Sequence, residues 1–484
     1  MRLLKRRDFL ALGLGTAALL AQCSRKSLTP LGSGSAAAQP RLYRSDAGQL
    51  SLSLEAAAQW VRLGERSAHL MTYNGQLPGP QLEARAGDRV KIHFTNRLKQ
   101  PTNLHFHGLH IPPTGAGDNV FLDIPPGASH TYEFQIPQGH PAGTFWYHPH
   151  RHGLVAEQLF AGLAGLFIVR GALDDIPEIQ AAREIFLVLK DLALDRRGRI
   201  PNPGHAAQMT GRVGDLLLGN GQLNPSLEVA QGELLRLRLL NASPSRFFQL
   251  SLEDHPLFLI ATDGGAIATP IELETLTLAP GERAEVLVSA SRAPGQYRLL
   301  NRPFNPAQGM MGGGMMGGGM MGGGTARRQT ETVATLIYSG TGPEMPLPTE
   351  LLTVEPLPEP QTVRQFALGH GMGQGMVFLI NGQAFDPGRI DTQTVLNTVE
   401  DWDIINAGTM AHPFHVHTNK FQILSRNGEP EPYAAWKDVV SVSPGERVRL
   451  RIAFRDYPGK TVYHCHVLDH EDRGMMGILE IQPA

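Results

Sequence analysis

One stretch near the end of this 484-residue chain directs its interpretation: His464-Cys465-His466-Val467-Leu468-Asp469-His470-Glu471-Asp472-Arg473-Gly474-Met475. It places a thiol, three imidazoles and a thioether on one short piece of chain. The other cysteine, Cys23, lies in the N-terminal region, so Cys465 has no disulfide partner in a processed protein. A thiolate beside histidines, with a methionine ten residues further on, is a ligand set that fits a blue-copper site. The stretch therefore predicts that the protein binds copper.

The local geometry of this stretch predicts two metal sites rather than one. In a strand, successive side chains point to opposite faces, so Cys465 faces one side while His464 and His466 face the other. The two histidines are then about 7 Å apart, which suits two neighbouring metals. An electron accepted at Cys465 would cross only a few covalent bonds to reach them.

Three further histidine clusters occur earlier in the chain, at His105-Phe106-His107-Gly108, His148-Pro149-His150 and His412-Pro413-Phe414-His415-Val416-His417. Together with the C-terminal stretch they contain more than half of the 19 histidines. A single His-x-His pair is commonly a surface or core feature of a strand. Four such clusters and an unpaired cysteine favour a shared metal centre.

These motifs, HFHG, HPH, HPFHVH and HCHVLDHEDRGMM, resemble the four copper-binding motifs of the multicopper oxidases, in the order that the family uses. The resemblance covers the whole chain after its N-terminal region. It implies four copper ions: one type 1, one type 2 and two type 3. The implied ligands are His412, Cys465, His470 and the weak axial Met475 for type 1; His105 and His415 for type 2; His107, His148 and His466 for one type 3 copper; and His150, His417 and His464 for the other.

The resemblance also implies a reaction. A donor gives single electrons to the type 1 copper, the electrons pass through Cys465 to His464 and His466, and the trinuclear cluster reduces dioxygen to water. Because this reduction consumes protons, carboxyl groups are expected near the cluster. Glu471, directly after His470, and Asp118, in the loop after HFHG, resemble proton donors of the family.

Internal repeats predict the architecture. Asn-Gly-Gln recurs at residues 74–76, 220–222 and 381–383, and Pro-Gly precedes an alternating strand pattern at residues 126–127, 280–281 and 444–445. Repeated turns that feed short alternating strands predict an all-β chain of three consecutive Greek-key β-sandwich domains, which the resemblance makes cupredoxin-like.

The predicted domains span residues 39–172, 173–343 and 344–484. The first holds half of the trinuclear cluster ligands, and the third holds the other half together with the type 1 site. The trinuclear cluster should therefore lie between the first and third domains. The middle domain carries no copper ligand and is interpreted as a spacer.

The N-terminal residues 1–38 resemble a twin-arginine export signal, with Lys5-Arg6-Arg7-Asp8-Phe9-Leu10 before an apolar stretch that is too short to span a bilayer. Small residues at Ala36-Ala37-Ala38 favour cleavage there, which predicts a periplasmic or extracellular protein with no stable membrane span. Lipidation of Cys23 is disfavoured by the neighbouring Gln22. With a net charge of −2 and no basic run elsewhere, a nucleic-acid partner is not expected.

A Met/Gly-rich loop at residues 309–324 is the second unusual feature, and thioethers on a flexible segment favour capture of Cu(I). Alternatively, its methionines only absorb oxidant. Such inserts resemble those of bacterial cuprous oxidases, the copper-detoxifying branch of the family. The candidate substrate-Cu(I) ligands are Met310, Met311, Met315, Met316, Met320 and Met321 of the loop, with Met372, Met376 and Met410 near the type 1 motif. One departure is Gly408-Thr409, where this branch often carries an acidic residue.

The favoured donor is therefore Cu(I), with laccase activity on phenols and aromatic amines. A laccase with organic donors as its main substrates remains an alternative, and Fe(II) or Mn(II) are weaker options. A non-catalytic cupredoxin-fold binding or structural protein is a distant alternative, because such proteins lose ligands that are all in place here. A chain that carries the whole trinuclear site has no need to oligomerise, so a monomer is expected.

Overall fold

The computed structural model of the chain describes residues 40–307, 329–373 and 375–484. The predicted export signal and the Met/Gly-rich loop lie outside the described residues, as does the side chain of Met372. In the part described, no helix combines the length and the apolar character needed to cross a membrane.

The first pair of sheets is formed from the N-terminal third of the described chain. Five strands pair in the order β1-β4-β9-β8-β6 and four in the order β3-β2-β5-β7. The elements are β1 (Leu42–Arg44), β2 (Gln49–Leu63), β3 (Arg66–Tyr73), β4 (Gln81–Arg85), β5 (Arg89–Asn96), β6 (His105–His107), β7 (Ser129–Gln135), β8 (Gly143–His148), helix α1 (Val155–Phe160) and β9 (Gly165–Arg170). In the first half of β2, leucines alternate with polar residues, and the leucines are the buried positions.

The second pair of sheets has seven strands in the order β12-β11-β10-β14-β19-β16-β17 and five in the order β13-β21-β20-β15-β18. Its elements are a 3₁₀ helix (Ala172–Asp175), α2 (Pro177–Ala181), β10 (Arg183–Leu192), α3 (His205–Thr210), β11 (Leu216–Gly219), β12 (Gln222–Leu223), β13 (Ser226–Gln231), β14 (Leu234–Asn241), β15 (Phe248–Leu252), β16 (Leu257–Thr262), β17 (Gly265–Leu273), β18 (Leu276–Leu278), β19 (Arg283–Ser289), β20 (Gln296–Arg302) and β21 (Glu331–Thr341).

The third pair has a seven-stranded sheet, β23-β22-β25-β31-β27-β28 with β29 on β27, and a five-stranded sheet, β24-β33-β32-β26-β30. Its elements are β22 (Thr362–Gly373), β23 (Gly375–Ile380), β24 (Thr392–Val395), β25 (Thr398–Asn406), β26 (His412–Val416), β27 (Phe421–Arg426), β28 (Glu429–Pro430), β29 (Trp436–Lys437), β30 (Val439–Val442), β31 (Arg447–Phe454), β32 (Gly459–Cys465), α4 (Leu468–Glu471) and β33 (Met476–Gln482).

The Asn-Gly-Gln repeat is the same turn in all three pairs of sheets. Asn74, Asn220 and Asn381 are left-handed, with φ of 50°, 50° and 53°. Each asparagine side chain bonds two backbone groups of the strand that pairs with the one ending at the turn. For Asn220 this strand is β10, where its carbonyl oxygen accepts from Val188 N–H at 2.9 Å and its amide donates to Phe186 O at 2.7 Å. The equivalent bonds of Asn74 and Asn381 are present. The repeated motif therefore makes the same local structure three times, and the predicted all-β fold of three sandwich domains is confirmed.

Each pair of sheets encloses its own buried apolar cluster. A further apolar cluster combines residues of all three sandwiches, among them Trp146 and Leu159, Val188 and Leu240, and Leu468. Because Leu468 belongs to the C-terminal histidine stretch, this shared packing holds that stretch against the first and second sandwiches.

Candidate metal centre

Four strands carry most of the predicted ligands, and their pairing explains why the motifs meet. In the first sandwich His105 of β6 is paired with His148 of β8. In the third, β26 pairs with β32, so that His415 lies opposite His464 and Phe414 lies opposite Cys465. All ten predicted histidines and Cys465 are buried.

The predicted type 1 residues form one compact group in the third sandwich. Cys465 Sγ lies 3.4 Å from His412 Nδ1 and 3.8 Å from His470 Nδ1, and those two nitrogens are 3.3 Å apart. Met475 is fully buried in the same core, where its backbone oxygen accepts from Cys465 N–H at 3.0 Å. The chain thus folds back so that the ends of the stretch are adjacent.

The charge state of this group fits a bound cation. Burial raises the pKa of the Cys465 thiol and lowers the pKa of His412 to about 4. A buried thiol becomes a thiolate only beside positive charge, while neutral imidazoles keep a free lone pair for a metal. Thiolate, imidazole and thioether together are donors that select copper.

The predicted type 3 residues form two groups whose ligand atoms lie within 4.8 Å of one another, His107 with His148 and His466, and His150 with His417 and His464. In the second group, Nε2 of His464 lies 3.1 Å from Nε2 of His150 and 3.0 Å from Nε2 of His417. Burial lowers the pKa of His150 to about 3, so these are neutral imidazoles. Lone pairs that converge so closely repel one another unless a shared proton or a cation lies between them.

The predicted type 2 pair also converges. His105 Nδ1 is held by Asp118 at 2.9 Å, and His415 Nδ1 donates to the backbone oxygen of Asp438 at 2.7 Å. The Nε2 atom of each ring is buried and has no hydrogen-bond partner among the described residues. Both ring nitrogens of His466 are likewise buried and have no hydrogen-bond partner among the described residues. Buried polar atoms without partners are costly, so this arrangement fits metal ligands.

Both predicted proton donors lie at the cluster. Asp118 accepts from His105 and from Phe106 N–H, and burial raises its pKa to about 8. The Glu471 oxygens lie 3.5 Å from Nδ1 of His464 and 3.8 Å from Nδ1 of His150. Neither oxygen has a hydrogen-bond partner in the described part of the chain, and burial raises the pKa of Glu471 well above its usual value.

The middle sandwich carries no copper ligand, but it contacts the residues of the metal centre. The interpretation of this domain as a spacer is therefore corrected. Gly281 lies so close to His466 that a Cβ added at this glycine would be 2.9 Å from the imidazole. Arg283 bonds Asp438, which in turn contacts His107. Sequence reasoning missed both residues, since Pro280-Gly281-Glu282-Arg283 resembles the other Pro-Gly turns and carries no ligand type.

The middle sandwich also covers the type 1 group, through residues 205–212, here called the cap. His470 Nε2 donates to Met209 O at 3.1 Å. Arg212 forms a two-pronged ion pair with Asp469, at 2.7 and 3.0 Å. From the third sandwich, Phe378 stacks on the His470 ring at 3.8 Å between centroids.

Only part of the predicted substrate-Cu(I) set falls in the described chain. Met376 packs against the core of the third sandwich, and its backbone oxygen accepts from Arg473. Met410 is partly buried, and its oxygen accepts from Asn406 at 2.7 Å. The six loop methionines and the side chain of Met372 lie outside the described residues.

Three sequence models of multicopper oxidase domains match residues 56–173, 190–318 and 355–484. The multicopper oxidase mco of Staphylococcus haemolyticus is 31% identical over 422 residues, which is 86% of this chain and 84% of that protein. The cell division protein FtsP of Edwardsiella tarda is 34% identical over 92% of each chain. A metallo-oxidase of Campylobacter jejuni, with a solved structure, is 32% identical with a TM-score of 0.80, over 93% of this chain and 96% of that chain.

Proposed function

This chain belongs to the multicopper oxidase family, and from that premise we propose that it couples four one-electron oxidations to the reduction of O₂ to two waters, with Cu(I) as the favoured donor. The proposed purpose is copper detoxification. Laccase activity on phenols and aromatic amines would accompany it.

The copper ligands are proposed residue by residue from the geometry. The group of His412, Cys465, His470 and Met475 would hold type 1 copper, His105 and His415 type 2, and the two sets of three histidines the type 3 pair. When bound, these four coppers would supply one-electron transfer at the cysteine and O₂ reduction at the histidines.

The protein's own residues join the two parts of the site. Cys465 is covalently continuous with His464 and His466, which belong to different type 3 sets. A second connection is the hydrogen bond from His464 Nδ1 to Cys465 O, at 3.0 Å. Electrons that arrive at the thiolate therefore have a short bonded path to the cluster.

Protons would come from the two buried carboxyl groups. Burial raises the pKa of Glu471 well above its usual value and so favours a protonated carboxyl group, within 4 Å of two cluster histidines. Asp118 holds one up to about pH 8 and lies 3.9 Å from His417 Nδ1. A general acid is most effective when its pKa is near the working pH.

The single observation that carries the preference for Cu(I) is the covering of His470. Its outer nitrogen is bonded to Met209 O and its ring is stacked against Phe378, so a planar donor has no free edge of this ligand to contact. Nε2 of the other predicted type 1 histidine, His412, lies near Gly408, which has no side chain to cover it, although His412 itself is buried. So restricted an approach suits a single ion delivered by thioethers better than an aromatic ring.

The test is oxygen uptake by the copper-loaded protein with Cu(I) or a phenol as donor, before and after deletion of residues 310–324. A matched control replaces the six loop methionines with serine and keeps the length. We expect both variants to lose Cu(I) oxidation and to keep or increase phenol oxidation. Fast phenol turnover, with slow Cu(I) oxidation that is indifferent to both changes, would make the protein a laccase.

A non-catalytic role is the second candidate, because FtsP proteins are named for cell division and match nearly the whole chain. Retention of every ligand residue argues against it. A protein that holds no copper after refolding with excess Cu(II) would favour this role.

We propose export of a monomer after removal of residues 1–38, which N-terminal sequencing and the mass of the mature protein would test. No nucleic-acid partner is proposed.

A further inference from the structure

Asp438, between β29 and β30, forms hydrogen bonds with residues of all three sandwiches. Its carboxylate accepts from Nε2 of His107 at 2.9 Å and from both terminal nitrogens of Arg283 at 2.6 Å. Its backbone oxygen accepts from Nδ1 of His415 at 2.7 Å. His107 belongs to the first sandwich, Arg283 to the middle one and His415 to the third, and all are buried.

These bonds assign opposite ring nitrogens to the two histidines. His107 uses Nε2–H for the carboxylate, so its Nδ1 faces the cluster, 3.4 Å from Nε2 of His148. His415 uses Nδ1–H for the carbonyl, so its Nε2 is left free. His105 and His464 also bond outward through Nδ1. His107 therefore bonds outward through the opposite ring nitrogen, Nε2, and the acceptor of that bond is the Asp438 carboxylate.

Arg283 is held in a fixed orientation. Besides the two bonds to Asp438, its guanidinium donates to the backbone oxygens of Thr144 at 3.0 Å, Gly281 at 3.1 Å and Asp263 at 2.8 Å. All five N–H groups therefore have an acceptor. A lysine carries the same charge but cannot reproduce this fork.

The pair also explains the glycine of the HFHG motif. Gly108 has φ of +83°, and a Cβ built there would lie 2.5 Å from Oδ2 of Asp438 and overlap a terminal nitrogen of Arg283. Any side chain at this position would displace the two residues. The glycine of this motif in the first sandwich therefore leaves room for the contact between Arg283 of the middle sandwich and Asp438 of the third.

We infer that Asp438, oriented by Arg283, is a positioning residue that fixes which nitrogen His107 and His415 present to copper, so that the middle sandwich controls copper retention at the cluster. This inference rests on the proposed function. Hydrogen bonds to the far side of a metal-bound histidine set its tautomer and orientation, and their loss typically weakens metal binding by roughly 10- to 100-fold.

The test compares Asp438→Asn and Arg283→Lys with Arg238→Lys in the copper-loaded protein. Arg238 is a matched control, since it is also a fully buried arginine of the middle sandwich, bonds Thr144 of the first and pairs with Glu184 and Glu285 rather than with a cluster residue. The measurements are copper per chain, the rate of copper loss to a chelator, and the visible absorption of copper bound to Cys465. Melting temperature separates these effects from a general loss of stability.

We expect Asp438→Asn and Arg283→Lys to lose the histidine-cluster copper roughly 10- to 100-fold more readily while the cysteine-bound copper and its absorption remain. Arg238→Lys should keep the copper content of the wild-type protein, even if its melting temperature falls as far as those of the two test variants. Wild-type copper retention in both test variants would overturn the inference alone. A wild-type protein without cluster copper would overturn the inference and the proposed function together.

Discussion

Glu471 is the residue that most directly links structure to the chemistry of the cluster. It is completely buried beside His464 and His150, and burial raises its pKa well above the usual value, which favours the protonated form. A carboxyl group in that state can donate a proton when negative charge develops nearby, and general acids of this kind typically contribute about 10²- to 10⁴-fold to a rate.

Glu471→Gln should therefore slow O₂ consumption by roughly 100-fold or more, because the amide keeps the shape but gives no proton. Reduction of the cysteine-bound copper by the donor without O₂ should keep its wild-type rate, and stopped-flow absorption measures it. The exposed Glu429→Gln is the control. Equal slowing of both half-reactions would show that the residue has only a structural role.

Lys190 shows the cost of burying a charge without a catalytic use. Its ammonium donates to Leu159 O at 2.5 Å, and burial lowers its pKa to about 8. The unfolded chain therefore binds more protons than the folded one between about pH 8 and 10, so stability rises with pH in that range. The shift corresponds to about 3 kcal/mol of destabilisation below pH 8.

Lys190→Met should raise the melting temperature at pH 7, because it removes the buried charge while Leu159 O keeps its bond from Gly162 N–H at 3.0 Å. The gain should shrink steadily as the pH rises from 8 to 10. Calorimetry at several pH values measures it, with the exposed Lys460→Met as control. A gain that does not change with pH would contradict the assigned titration.

At the scale of single residues, the sequence predicts what residue type and spacing encode. The thiol, the histidine clusters and Met475 could be recognised as a copper-binding set from donor type and spacing, and the resemblance to the family implied which copper each would bind. Asp438 could not, because it lies 331 positions from His107 in the chain and meets it only through the packing of three sandwiches. Met209 bonds His470 through its backbone oxygen, a contact for which the sequence carries no signal.

At the scale of elements, the cap of residues 205–212 covers His470, and the proposed preference for Cu(I) rests on it. It is fastened by the ion pair of Arg212 with Asp469 and by the bond from Arg473 to Gln208 Oε1, at 2.6 Å. The cap contains the short helix α3, which has no buried residue of its own. Its position over His470 therefore depends on these polar contacts and on the packing of Met209 against the core of the third sandwich.

Arg212→Ala should loosen the cap, expose the outer edge of His470 and increase phenol turnover severalfold, with little effect on Cu(I) oxidation. Steady-state rates for the two donors test this. Arg197→Ala, an exposed arginine of the same connection, is the control. Unchanged phenol turnover, in a variant whose cap is shown by proteolysis to be mobile, would contradict the role of the cap in donor choice.

The repeated turns could be predicted from the sequence because their conformation depends on local residue preferences, whereas the position of the cap does not. Asn74, Asn220 and Asn381 adopt the left-handed conformation, which asparagine tolerates, and each is followed by a glycine with φ between 73° and 75°. That local chemistry predicted the three sandwiches. The cap is held by contacts with residues distant in the chain, such as the ion pair of Arg212 with Asp469, so its sequence gives no comparable signal.

At the scale of the whole molecule, copper is expected to hold the first and third sandwiches together, because each type 3 group takes histidines from both. Metal-independent contacts also join them. Asp472 accepts from Gly153 N–H at 2.7 Å and from Ala156 N–H at 2.9 Å, at the start of α1. The copper-free protein should therefore stay folded but be less stable.

Removing all copper should lower the melting temperature by much more than removing the type 1 site alone with Cys465→Ser, since a ligand that binds only the folded state stabilises it in proportion to its affinity. Differential scanning calorimetry of the copper-loaded, copper-free and Cys465→Ser proteins measures this. Equal melting temperatures for the loaded and copper-free forms would contradict a cluster shared between two sandwiches.

The most direct measurement is the ratio of Cu(I) oxidised to O₂ consumed by the copper-loaded protein, with hydrogen peroxide assayed in parallel. We expect four Cu(I) ions per O₂ and no peroxide, because a complete trinuclear cluster with protons from Glu471 and Asp118 reduces O₂ fully to water. A ratio of two with stoichiometric peroxide, or no protein-dependent O₂ uptake, would contradict the proposed multicopper oxidase activity.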